Sequence, residues 1–261
     1  MHAPLFQVDA FTTQRFRGNP AAVMLLEQYL PDTVLQAIAA ENNLSETAFL
    51  VRNGEDYRIR WFTPTLEVSL CGHATLASAA VVMERLERDR RRVVFHSASG
   101  PLTAVREDDR YLMNFPARPA QSIPTPAGFA DALGAEPVEV FVNVHNYMAL
   151  LSSAKAVREL TPDLLAVARI DRPGIIVTAA GDAGYDCVSR YFAPAKGIAE
   201  DPVTGGAHCM LVPYWSTRLG KAEISAYQAS ARGGELRCRA LGERVELGGE
   251  CVFYLEGQVE I

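Results

Sequence analysis

The chain has 261 residues, of which 49% are hydrophobic and 21% charged, with a net charge of −6 at pH 7. This is material for one large domain or two ordinary ones with real cores. The acidic balance and the lack of a basic face argue against a nucleic-acid partner. No apolar run nears the roughly 18 residues that a membrane span needs, so no membrane partner is expected.

The stretch Met1–Asp9 has no basic region followed by an apolar run, so no signal peptide is expected. Leu5–Phe11 alternates like a strand, and Gly18–Leu25 supplies a second. Leu30-Pro31-Asp32 opens a helix, since proline suits a first turn. Glu46 lies between that helix and a strand beginning near Ala48. A carboxylate at such a junction is a candidate general base when partly desolvated, or simply an exposed helix-end charge. Arg60-Trp61-Phe62-Thr63-Pro64 leads to Cys71-Gly72-His73, and Ala74–Met83 is then almost wholly small or apolar. A helix apolar all round is a buried one, so strands are expected to wrap it. In Arg85–Arg92 the five arginines are interleaved with acids, which reads as a solvated helix end.

Pro116, Pro119, Pro124 and Pro126 mark a linker, giving expected halves 1–117 and 118–261. The second half repeats the order of the first. Val138–Val142 and His145–Leu150 read as strands, and Leu160-Thr161-Pro162-Asp163 opens a helix. Arg190-Tyr191-Phe192-Ala193-Pro194 then matches Arg60–Pro64 at a distance of 130 residues. The same offset sets Asp201 against Cys71. A second helix starts near Gly205 and is expected to break early at Pro213. The closing segments around Arg237, Arg244 and Val252 alternate as strands, with turns expected at Gly233-Gly234 and Gly248-Gly249. Whether the final strand crosses back to the first half stays open.

The two helix starts carry the chemistry. First-turn N–H groups lack intrahelical partners and the helix dipole is positive there. Gly72, Gly205 and Gly206 let a ligand approach, so a carboxylate could be cradled, although glycines that merely permit turns explain the same residues. Cys71 and His73, two positions apart at a helix start, are not expected to face each other as a hydrolase pair would. Cys71, His73, His208 and Cys209 match zinc spacings poorly, so no metal is expected. No glycine-rich nucleotide motif is present. The five cysteines are odd in number and form no Cys-x-x-Cys pair, which points to free thiols in a reducing cytoplasm.

Five stretches together resemble the phenazine biosynthesis PhzF-like family of the diaminopimelate epimerase-like superfamily. They are Phe16–Val23, Asn43–Phe49, Trp61–Pro64 through Cys71–Thr75, Glu200–His208, and Gln228-x-Ser230-x-Arg232-Gly233-Gly234. The resemblance implies an α/β fold of two pseudo-symmetric domains, each a curled β-sheet around a central α-helix, with the active site in the cleft between them. It implies proton transfer without a cofactor, often in a homodimer, on a small carboxylate-bearing metabolite. Glu46 then takes the place of the family's proton-shuttling glutamate, and His73, Asp201, Gly72 and Gly205 take the places of other site residues. Asn19, Ser45 and Gly206 lie in the same motifs and are expected to bind substrate. Many relatives carry serine where this chain has Gly206. Two other functions stay in view: an epimerase using Cys71 and Asp201 as acid and base, and a non-catalytic metabolite- or protein-binding member of the fold.

Overall fold

A computed structural model describes residues 2–261. The chain divides into two compact units, one formed by the residues up to Asn114 with Gly248–Ile261, the other by Phe115–Leu247. In the first unit the strands are β1 (His2–Ala10), β2 (Asn19–Leu26), β3 (Glu46–Asn53), β4 (Asp56–Phe62), the two-residue β5 (Glu67–Val68), β6 (Arg92–Ser97), β7 (Gly100–Glu107) and β8 (Arg110–Pro116). The helices are α1 (Asp32–Asn42) and α2 (Gly72–Val81). Every residue of α2 from His73 to Val81 is buried, and the helix packs against β1, β2, β3 and β7. This is the wrapped central helix that its composition implies. On the other side of the sheet, α1 sets Leu35 and Ala39 against Met24, Phe49 and Phe62. Asn43 in the left-handed region ends α1 and turns the chain into β3.

The second unit contains β9 (Gln121–Ile123), β10 (Glu139–Val142), β11 (Asn146–Leu150), β12 (Gly174–Ala180), β13 (Cys187–Phe192), β14 (Glu223–Gln228), β15 (Gly234–Leu241) and β16 (Arg244–Gly249), the last reaching into the first unit. Its helices are α3 (Phe129–Leu133), α4 (Ala154–Glu159), α5 (Leu164–Val167) and α6 (Gly205–Leu219). The strand senses repeat. β1–β2, β3–β4 and β6–β7 are antiparallel, while β2–β3 and β4–β6 are parallel. β10–β11, β12–β13 and β14–β15 are antiparallel, while β11–β12 and β13–β14 are parallel. Even the register repeats: Trp61 faces Ala48 as Tyr191 faces Ile176, and Tyr57 faces Phe95 as Cys187 faces Ala226.

One point that the sequence left open is answered, and three features differ from its reading. The last strand, β17 (Cys251–Glu260), pairs with β1 from end to end, so the second unit stops short of residue 261. Helix α6 does not break at Pro213; it runs on to Leu219. Proline removes the N–H that would bond the carbonyl four residues back. That carbonyl, on Cys209, accepts instead from the backbone N–H of Arg118 at 2.8 Å. The helix opened by Pro162 is only the four-residue α5, capped by the Asp163 carboxylate, and α4 precedes it. Finally, Gly249 belongs to β16 rather than to a turn, and a Cβ there would overlap the Phe11 ring.

Candidate functional site

In the first unit three residues distant in sequence converge on one imidazole. Asn19 opens β2, Glu46 opens β3, and His73 is the second residue of α2. The left-handed Gly18 makes the approach to Asn19, where a side chain would strike the Ala10 carbonyl. Asn19 and His73 are buried, and the Glu46 side chain is 12% exposed. His73 Nε2 lies 3.1 Å from Glu46 Oε2. On the other ring edge, Nδ1 lies 3.2 Å from Asn19 Nδ2 and 3.5 Å from Cys71 Sγ, so Cys71 and His73 do meet, contrary to the expectation from their spacing, because Cys71 is the extended N-cap residue rather than part of the helix. An amide nitrogen only donates, so whenever the ring is neutral Nδ1 accepts and the proton sits on Nε2, beside the carboxylate.

Burial opposes charge on His73, but the Glu46 charge and the hydrogen bonds with Cys71 and Glu46 favour it and raise its pKa well above the usual histidine value. Burial pushes the Cys71 thiol up to about 11, with Glu46 adding to the rise, so sulfur remains protonated at neutral pH. Cys71 is also the N-cap of α2, and no side chain caps that helix start. The site is therefore a shielded carboxylate–imidazole pair at an uncapped helix N-terminus, suited to moving one proton and holding nearby negative charge.

Glu46, Cys71 and His73 also bring an oxygen, a sulfur and a nitrogen within 4.8 Å of one another, a set that a divalent ion could use. The two ring nitrogens are directed differently, however: Nδ1 toward sulfur and Nε2 toward the carboxylate. The zinc set weighed from sequence dissolves. His208 and Cys209 are packing residues inside α6, and His208 Nδ1 lies 2.8 Å from the Thr204 carbonyl.

In the second unit Asp201 is held from three sides. Its N–H donates to the Tyr191 carbonyl at 3.0 Å, and its Oδ2 accepts from Thr204 Oγ1 at 2.6 Å. Its carbonyl accepts from Gln228 Nε2 at 2.7 Å. The same Gln228, fully buried, accepts from the Thr204 N–H at 2.8 Å and so clamps the segment before α6. Ser230 Oγ donates to the Pro202 carbonyl at 2.8 Å. Gln228 and Ser230 thus position the Asp201 loop. Their sequence motif was visible, but nothing in its spacing revealed that task. Gly205 and Gly206 begin α6, which no side chain caps, and a Cβ on Gly206 would meet open space. Ser45 is half-buried beside Glu46.

The helix starts correct the equivalence inferred from the 130-residue offset. Thr204 caps α6 as Cys71 caps α2. Thr75 Oγ1 bonds the Cys71 carbonyl, and His208 bonds the Thr204 carbonyl in the same way. Thr204 is therefore the counterpart of Cys71, and Asp201 precedes it on an extra half-turn of chain. Glu46 has a counterpart too. The strand register sets it against Gly174, where a side chain would overlap Tyr191 and Asn146. Glu46 therefore lies inside the repeat, and only the first unit carries a carboxylate there.

The phenazine biosynthesis-like protein family, PhzC-PhzF, matches residues 8–257. The chain belongs to this family. It is 49% identical, over the full length of both chains, to a Pseudomonas aeruginosa protein named "uncharacterized isomerase". The crystal structure of a PhzF-family phenazine biosynthesis protein from Enterococcus faecalis is 43% identical, covers 100% of both chains and has a TM-score of 0.97. A hydroxyproline epimerase from Agrobacterium vitis shares only the fold, at 12% identity and a TM-score of 0.61, covering 99% of this chain and 92% of that one. The family fold is thus diaminopimelate epimerase-like, and these relatives support an isomerase-type function.

Proposed function

We propose that this PhzF-family chain is a cofactor-independent isomerase that moves a proton between carbons of a small carboxylate-bearing substrate. The observation that carries the proposal is the shielded Glu46 carboxylate 3.1 Å from His73 Nε2 at the uncapped start of α2. Glu46 removes a proton from carbon and returns it at another position. His73, fixed by Asn19 and Cys71, hydrogen-bonds the substrate and steadies the charge on Glu46. The N–H groups at Gly72, and those at Gly205 and Gly206, hold anionic oxygen, with Asn19 and Ser45 as further substrate contacts. Asp201, buried and bonded by Thr204, supplies a further hydrogen-bonding group toward the substrate.

The test is deuterium incorporation from solvent into substrate, followed by mass spectrometry across a panel of small carboxylic acids. Wild type is expected to exchange, and Glu46→Gln to lose at least a hundredfold in rate. Equal rates would remove Glu46 from the mechanism. If no acid of a broad panel exchanged while one bound, a non-catalytic binding protein would be the better reading.

A further inference from the structure

The second unit holds a recess of about 420 Å³ with a lining unlike that of the Glu46 site. Arg118, Arg172 and His145 line it, together with Pro119, Val142 and Val144. No carboxylate lines it. Its walls are fixed by backbone bonds. Arg118 donates its N–H to Cys209 and accepts at its carbonyl from Asn143 Nδ2 at 3.2 Å. Asn143 Oδ1 accepts from the N–H groups of His145 and Asn146, both at 2.9 Å, which holds the β10–β11 turn. Arg172 Nε donates to the Asn143 carbonyl at 3.2 Å, and its Nη1 pairs with Asp171 at 2.9 Å.

Arg118 differs from its neighbours. Among the described residues its guanidinium has no ion pair or hydrogen bond, whereas the exposed Arg158 and the half-buried Arg190 each grip a carboxylate with two nitrogens. Its charge acts on the ammonium of Lys196, which also feels the Asp201 carboxylate, and disfavours a proton on His145. A half-buried guanidinium with no carboxylate partner is stabilised by an incoming anion, and a planar fork favours a carboxylate. The volume lies in the range of small-molecule sites.

The geometry points to a binding site for a small organic anion: a carboxylate held by Arg118, with an apolar ring-sized body lying on Pro119, Val142 and Val144. A free phosphate would satisfy the charge but leave those apolar faces unmatched. The site uses none of Glu46, His73 or Cys71, so it stands apart from the proton-transfer proposal.

Isothermal titration of the full chain with benzoate, and separately with inorganic phosphate, tests it. Saturable benzoate binding is expected, tighter than that of phosphate. Arg118→Ala should weaken benzoate at least tenfold without changing the melting temperature, because the bonds that hold Arg118 run through its backbone N–H and carbonyl, which alanine keeps. Val144→Ser should weaken it several-fold, and Glu46→Gln should leave it unchanged. Absence of saturable binding, undiminished binding by Arg118→Ala, or phosphate binding as tightly as benzoate would each overturn the proposal. Loss of binding in Glu46→Gln would assign the anion to the Glu46 site and overturn it equally.

Discussion

At the residue scale, His73 and His208 show how one residue type takes two roles from its surroundings. His73 sits between a carboxylate and a thiol and is pulled toward charge. His208 has no charged partner, donates from Nδ1 to the Thr204 carbonyl, and is lowered to about 4 by burial. The stability consequence has a definite sign. Between pH 6.5 and 4 the unfolded chain takes up a proton at this position and the folded chain does not, so stability is present above 6.5 and is lost as pH falls toward 4. The full loss is roughly 3 kcal/mol by linkage. His208→Asn keeps a donor near Nδ1 but does not titrate; its urea midpoint should fall less than that of wild type between pH 7 and 4.5. The Cys71 thiol gives a mechanistic test at the same scale. Held protonated by its pKa of about 11, it makes a poor base, so Cys71→Ala should keep exchange within about tenfold of wild type. Complete loss of exchange would favour the epimerase chemistry of Cys71 and Asp201. Gly206→Ser should change stability by less than about 0.5 kcal/mol, because a Cβ there meets open space. Any change in substrate preference then reports the added hydroxyl itself.

At the element scale, the two central helices are fed by neighbouring chain in different ways. Helix α6 tolerates Pro213 because Arg118 supplies the donor that the ring removed. Pro213→Ala should therefore stabilise the protein by about 1 kcal/mol in urea unfolding, rather than the roughly 3 kcal/mol of an uncompensated helical proline. The start of α6 depends on Gln228, whose amide bonds Thr204 and Asp201 together. Gln228→Leu strands those groups in a buried place, so a loss of about 2–4 kcal/mol is expected. Exchange should fall as well, provided the Asp201 loop matters to catalysis. In α2 the near-total burial was legible from Ala74–Met83, since no polar stripe interrupts it. The continuation of α6 past Pro213 was not legible, because the compensating N–H comes from a residue about 90 positions away in the chain.

At the scale of the whole molecule, the repeat is a duplication of topology whose chemistry has diverged. The strand senses and register of one unit recur in the other, yet Glu46 corresponds to Gly174 and Cys71 to Thr204. One unit thus carries the carboxylate–imidazole pair, and the other presents Asp201 and the recess beside Arg118. Chain continuity also matters: β17 closes the first unit by pairing with β1, although more than 240 residues separate their starts. The sequence by itself determined the repeated module, the wrapped helix, the glycine-rich helix starts and the family. All of these reside in local composition and short spacing, which periodicity and backbone stereochemistry report directly. Only the tertiary structure decided that Asn19, Glu46 and Cys71 meet at one imidazole, that Glu46 has a glycine for its counterpart, and that the last strand returns to the first. Those facts depend on strand register and on which strands become neighbours, and a shift of one residue would turn Glu46 to the opposite face of its sheet.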